Sequence, residues 1–124
     1  MKKILVVEDN DQNRILLSQI LTHLGYEVIE APDGAVGLKM AGEHKPDLML
    51  LDLQMPVMDG FTAVRKLRDM PELRAMKVIA ITSLAMKGDR EAVLKAGFDE
   101  YVTKPIDTRM LPDLIKRVLG EVKP

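Results

Sequence analysis

Residues 48–60 read LMLLDLQMPVMDG. Four apolar residues, Leu48 to Leu51, run without a polar break into one acid, Asp52. An uninterrupted apolar run of that length predicts a strand buried on both faces, as in a parallel sheet. Asp52 then stands where the strand leaves the sheet, and the turn signals Met55-Pro56 and Asp59-Gly60 follow it. Open α/β sheets take their ligands outside the carboxyl ends of their strands. What meets Asp52 at that edge therefore decides what the chain can do.

On the amino-terminal side, residues 3–8 (KILVVE) predict a first strand that ends in acid. Asn10 or Asp11 is placed to cap the helix that follows, Leu17, Ile20, Leu21 and Leu24 recur at helical spacing, and Gly25 stops it. Residues 27–31 (EVIEA) predict a second strand with Pro32-Asp33-Gly34 as its turn, and a second helix runs from about Ala35 to Glu43, before Pro46. On the carboxyl-terminal side, Phe61, Val64 and Leu67 mark a third helix that ends near Met70-Pro71, and residues 77–82 (KVIAIT) predict a fourth strand. Asp89 or a neighbour starts a fourth helix with Ala92, Val93 and Ala96 inward and Gly97 at its end. Residues 98–103 (FDEYVT) give a fifth strand, and Leu111, Leu114, Ile115 and Val118 a last helix closing at Gly120. Alternating strands and helices joined by short connections predict a doubly wound five-stranded parallel sheet with five helices on its two faces.

Composition narrows the function classes. A chain of 124 residues, 47% hydrophobic, suits one domain with one core. No apolar run approaches 18 residues, so no transmembrane helix is expected. Met1-Lys2-Lys3-Ile4 has the look of a signal-peptide start, but the apolar run ends at Val7 and acids follow at once. There is no cysteine, which excludes disulfides and thiolate metal sites and fits a cytoplasmic protein. A net charge of -1 gives no bulk attraction to nucleic acid or anionic lipid, and two tyrosines, two phenylalanines and no tryptophan offer no stacking platform. The charges from Arg65 to Lys77, broken by Asp69 and Glu72, read as a solvated helix and loop. The nine methionines are scattered and read mostly as core filler, with Met86 a candidate contact residue.

In a parallel sheet all strand carboxyl ends share one edge. Glu8 and Asp9 end the first strand, Asp52 the third, Thr82-Ser83 the fourth and Thr103-Lys104-Pro105 the fifth. Three carboxylates, a hydroxyl and an ammonium are thus expected to converge. Clustered carboxylates repel and call for a cation. With no histidine or cysteine beside them that cation is hard and oxygen-seeking, and magnesium fits best. His23 and His44 lie on the first and second helices, away from the acids, which argues against a phosphohistidine. An aspartate beside a metal, a lysine and a hydroxyl is equipped to attack phosphorus and form an acyl phosphate. Magnesium, Lys104 and Thr82 would then hold the equatorial oxygens in the transition state.

These residues, in this order, resemble the receiver domain of bacterial response regulators, the CheY-like family. The resemblance rests on Glu8-Asp9, on Asp52 with MPVMDG behind it, on Thr82, and on Tyr101 with Lys104-Pro105, and spans residues 3 to 120. The stretch TSLAMKGD from Thr82 to Asp89 is similar to single-domain cell-division regulators of the DivK kind. The resemblance implies the flavodoxin-like sheet order 2-1-3-4-5, which is the known order of CheY itself. It implies that Asp52 is the phosphoacceptor, that Asp9, Asp52 and the backbone carbonyl of Gln54 bind magnesium, and that Glu8 acts through a metal-bound water. It further implies that Lys104 pairs with the phosphoryl group, that Thr82 and Tyr101 are the switch pair, and that the Lys104-Pro105 bond is cis. One position departs from the pattern: the residue after the switch threonine is commonly alanine or glycine, and here it is Ser83.

The leading expectation is a phosphorylation-controlled switch, residues 1–124 forming a single receiver domain, complete in itself or excised from a longer regulator. It would take its phosphoryl group from a sensor histidine kinase or a histidine phosphotransfer protein. It would signal to a downstream protein, as a monomer or weak dimer, through residues near Met86–Lys95, Tyr101 and Ile106–Lys116, without touching nucleic acid or membrane. It would catalyse only its own phosphorylation and dephosphorylation. The alternative is a magnesium-dependent phosphatase of haloacid-dehalogenase type, but such enzymes usually carry a second aspartate two residues after the nucleophile, and here that residue is Gln54. A receiver-like scaffold that is never phosphorylated is a third option, disfavoured by the intact acid, threonine and lysine set.

Overall fold

The computed structural model describes residues 1–55, 58–83 and 89–120. Its elements are β1 (Lys3–Val7), α1 (Asp11–His23), β2 (Glu27–Ala31), α2 (Gly34–His44), β3 (Leu48–Asp52), α3 (Gly60–Arg68), β4 (Lys77–Thr82), α4 (Asp89–Ala96), β5 (Glu100–Thr103) and α5 (Leu111–Val118). The strands form one parallel sheet in the order β2-β1-β3-β4-β5. β3 is central, paired to β1 from Ile4↔Leu48 to Val7↔Leu51 and to β4 from Leu48↔Lys77 to Asp52↔Ile81. That position explains its sequence: covered on both faces, it shows no polar alternation, and all five of its residues are buried.

The pleat sorts the apolar residues into two layers. Ile4, Val6, Leu48, Leu50, Ile79 and Ile81 pack against Leu17 and Leu21 of α1 and Leu111, Leu114 and Ile115 of α5. Leu5, Val7, Met49, Leu51, Val78 and Ala80 pack against Ala41 of α2, Ala63, Val64 and Leu67 of α3 and Val93 of α4. Met49, Met55 and Met76 are buried and Met40, Met58 and Met70 half-buried against this second layer, whereas Met1 and Met110 are exposed; Met86 lies outside the described residues.

Short polar side chains start three of the helices. The side chains of Asn10, Asp33 and Asp59 accept from the backbone N–H of Asn13, Val36 and Thr62 at 2.9, 2.8 and 2.8 Å. Gly25, at φ 96°, lets the chain leave α1 for β2. Gly60 has a different task. A β-carbon there would stand 2.8 Å from the Asp52 carbonyl oxygen and from Leu53 Cα, so only glycine lets α3 begin against the end of β3.

Three expectations are corrected. β5 begins at Glu100, not residue 98, because the two preceding residues have other work. Phe98 is buried, closes α4 through its N–H to the Val93 carbonyl and meets Phe61 edge-on at 6.0 Å. Asp99 is held to Val78 by backbone and side chain. On α4, Val93 is buried and Ala96 half-buried, but Ala92 is exposed, one residue round from the face that meets the sheet. Leu24, expected inward, is the C-cap of α1 and 39% exposed.

Candidate functional site

Each polar group at the carboxyl edge is placed by the strand that carries it. Glu8 follows β1 and continues its ladder, its N–H donating to the Ala31 carbonyl at 3.1 Å. Asp52 is the last residue of β3, opposite Ile81, and Thr82 is one residue farther along β4. Lys104 follows β5, its N–H donating to the Thr82 carbonyl at 2.8 Å, and the Lys104–Pro105 peptide is cis.

The acids and the ammonium meet. The Lys104 ammonium lies 2.9 Å from Asp52 Oδ2 and 3.1 Å from Glu8 Oε1. Asp52 Oδ1 accepts the Gln54 N–H at 2.9 Å. Asp52 is 1% exposed and Glu8 3%, whereas Asp9 is exposed. Oxygens of Glu8, Asp9 and Asp52 all lie within 4.8 Å of one another.

Two of the three carboxylates, Glu8 and Asp52, share the Lys104 ammonium, and the electrostatics register the shortage. Glu8 Oε2 is buried with no hydrogen-bond partner among the described residues. Burial, then the adjoining Asp52 carboxylate, push the Glu8 pKa from 4.5 up to about 7, against the opposing pull of Lys104. Burial works to lower the Lys104 pKa, but its bonds to Asp52 and Glu8 prevail and hold the ammonium above its ordinary value. A buried carboxylate oxygen without a donor, in an all-oxygen set of three acids, fits a hard divalent cation.

Thr82 is 1% exposed, and no residue of the lysine–acid cluster lies on α4 or α5. Tyr101 is half-buried, pairs with Ala80 across the β4–β5 ladder, and lines an open cavity of about 340 Å³ with Arg90, Ile106, Met110 and Arg117. His23 and His44 sit in the last turns of α1 and α2, at the opposite edge of the sheet from the acids. Pro56, Val57 and residues 84–88, which carry part of both quoted motifs and of the expected partner surface, lie outside the described residues.

Sequence reasoning missed two contacts here. The Arg14 guanidinium donates to the Glu8 carbonyl at 2.8 Å while bonding Asp11 and Glu30 at 2.6 and 3.2 Å, and so ties α1 and β2 to the acidic turn. Its only trace in the sequence is the i,i+3 spacing from Asp11. The other is a bond from Ser83 to the Gln54 side chain, for which no spacing rule gives warning.

Comparison with known proteins agrees with this geometry. The response regulator receiver domain family matches residues 4–116. The polar-differentiation response regulator DivK of Brucella anthropi is 40% identical over 120 residues, covering 97% of this chain and 98% of its own. The receiver domain of a Pseudomonas aeruginosa sensor histidine kinase, solved with a magnesium ion in its active site cleft, superimposes with a TM-score of 0.88 at 36% identity, over 96% of this chain and 98% of that one. The chemotaxis protein CheY4 of Vibrio cholerae gives a TM-score of 0.89 at 29% identity, over 95% and 98%. The chain belongs to the response regulator receiver domain family, the phosphorelay signalling modules of two-component systems.

Proposed function

We propose that Asp52 is the residue that accepts the phosphoryl group. One observation carries the reading: a buried carboxylate at a strand's carboxyl end, gripped through Oδ2 by Lys104, inside a cluster of three acids with one paired cation among the described residues. A carboxylate oxygen of Asp52 bonds to phosphorus as the bond from phosphorus to the donor's imidazole nitrogen breaks, and that nitrogen keeps the electron pair. Lys104 then pairs with a phosphoryl oxygen, and Thr82, at the end of the adjoining strand, turns its hydroxyl towards another.

Asp9, Asp52 and the Gln54 carbonyl would hold magnesium, with Glu8 acting through a bound water. The orphaned Glu8 oxygen supports this set, as does the magnesium in the receiver domain from P. aeruginosa. When bound, magnesium would supply positive charge against the negative charge that the phosphoryl oxygens carry in the transition state.

Residues 1–124 would act as a single receiver domain in the cytoplasm, monomeric or weakly dimeric. It would be charged by a sensor histidine kinase or histidine phosphotransfer protein, would catalyse only its own phosphorylation and dephosphorylation, and would be read by a downstream protein. Movement of Thr82 would let Tyr101 turn inward and reshape the surface of α4, β5 and α5, which partners would read near residues 86–95, of which 86–88 lie outside the described residues, Tyr101 and residues 106–116. No observation favours a haloacid-dehalogenase-type phosphatase: Gln54 stands where its second acid would be, with its side chain bonded to Ser83. The test is incubation with acetyl phosphate and magnesium followed by intact mass. A single phosphoryl gain that Asp52→Asn abolishes is the expected result.

A further inference from the structure

The β3–β4 ladder does not stop where the strands do. Asp52 pairs with Ile81, and the Leu53 N–H donates to the Ile81 carbonyl at 2.9 Å, which brings Gln54 opposite Ser83. There the Gln54 side-chain oxygen accepts twice from one residue, from the Ser83 N–H at 3.0 Å and from the Ser83 hydroxyl. The backbone N–H of the same Gln54 donates to Asp52 Oδ1. One residue thus touches the acid with its main chain and ties down the neighbouring turn with its side chain. Asp52 is 1% exposed, whereas Gln54 and Ser83 are both exposed, so the bridge stands on the solvent side of the carboxylate.

We propose that the Gln54–Ser83 bridge is a latch over the phosphoacceptor that must open before a phosphodonor reaches Asp52. This rests on the reading of Asp52 given above. The latch is held by two donors on one acceptor, and a phosphoryl group on Asp52 brings stronger, charged acceptor oxygens to the same place. Arrival of the phosphoryl group therefore competes for the Ser83 donors that hold the site shut. An alanine or glycine at position 83 keeps the N–H but loses the hydroxyl, and with it half of the latch. Gln54 and Ser83 are positioning residues: they govern access and take no part in bond making.

The experiment is the rate of phosphoryl gain, by intact mass, from acetyl phosphate at fixed magnesium, for the unmodified chain, Gln54→Ala, Ser83→Ala, the double variant and Asp52→Asn. Gln54→Ala keeps the backbone carbonyl and N–H. It is expected to raise the rate about fivefold, the equivalent of one net hydrogen bond. Ser83→Ala, which removes only the hydroxyl bond, is expected to raise it less, and the double variant no more than Gln54→Ala alone, since Gln54→Ala already removes both bonds. Hydrogen exchange of the Ser83 amide in the unphosphorylated protein is expected to quicken in Gln54→Ala. Single-variant effects that multiply in the double variant, an unchanged or slower rate in Gln54→Ala, or unaltered Ser83 exchange overturns the latch while labelling still depends on Asp52. Labelling that persists in Asp52→Asn, or is absent from the unmodified chain, overturns the Asp52 reading and the latch with it.

Discussion

The sheet has an ionic cluster at each end, and the two are built in opposite ways. At the amino edge the Arg68 guanidinium donates to the carbonyls of Gly97 (2.9 and 2.6 Å), Arg74 (2.8 Å) and Met76 and meets Asp99 at 3.2 Å. Asp99 also accepts the Val78 N–H at 2.8 Å and sits 3.9 Å from Lys77. All three guanidinium nitrogens are engaged, and the cluster locks the end of α3 to the starts of β4 and β5. At the carboxyl edge, among the described residues, Lys104 alone serves Glu8 and Asp52, and one carboxylate oxygen is left over. A saturated cluster contributes stability. An unsaturated one holds unmet capacity for a cation or an anion that comes and goes.

That contrast predicts opposite phenotypes. The largest effect is on chemistry: Asp52→Asn should lose all phosphoryl incorporation and keep a cooperative thermal transition. Retained labelling, by mass, breaks the assignment of the carboxyl edge. Next, Arg68→Ala should leave labelling measurable but destabilise the fold by about 3 kcal/mol, since it strips charged donors from several carbonyls and leaves Asp99 without its guanidinium. Denaturant unfolding measures this, and a change under about 0.5 kcal/mol would make the amino-edge cluster ornamental.

The third effect concerns pH. A carboxyl whose folded pKa exceeds its unfolded one binds extra protons in the native state. Metal-free stability should therefore fall as pH rises from about 4.5 to about 7, as Glu8 is forced to ionise. Glu8→Gln should flatten that decline and be more stable than the unmodified chain above pH 7 by on the order of 2 kcal/mol. A curve unchanged by the substitution, measured in chelator, would show that Glu8 bears no such strain. The smallest effect belongs to Asp9. Because it is exposed, Asp9→Asn should relieve only about 0.5 kcal/mol of repulsion without metal. It should nevertheless shrink the rise in Tm that magnesium gives the unmodified chain. Equal magnesium-dependent rises in both proteins would remove Asp9 from the ligand set.

The sequence announced these two edges unequally. β2 and β4 fall where their apolar runs place them, and β3 gains only Asp52, because strand parity and burial are local signals. The acids and the lysine were visible because each ends a strand, and a parallel sheet collects strand ends. Arg68 gave no warning: its partners are carbonyls six to 29 residues away, and any helix-terminal arginine looks alike in sequence. The start of β5 was misplaced for the same reason, since Phe98 and Asp99 have strand-like composition but serve tertiary contacts. The spare oxygen of Glu8 and the Gln54–Ser83 bridge likewise exist only once separate turns are brought together.

The division of the apolar residues into two layers has a consequence for wiring. Glu8, Asp52 and Lys104 share the even-numbered register of Ile4's and Leu48's strand faces and of Val102, all of which meet α1 and α5. Glu8 and Lys104 accordingly line a cavity with Leu16, Leu17 and Ile20 of α1. Thr82 has the register of Val78 and Ala80, and Tyr101 packs in that same second layer, against α2, α3 and α4. The sheet insulates one set from the other, like two sides of a circuit board. If a change begins at Asp52 and ends at Tyr101, the short way between the two faces is around the rim, through the turn that Thr82 and Ser83 share, because the sheet between those faces carries apolar side chains on both sides among the described residues.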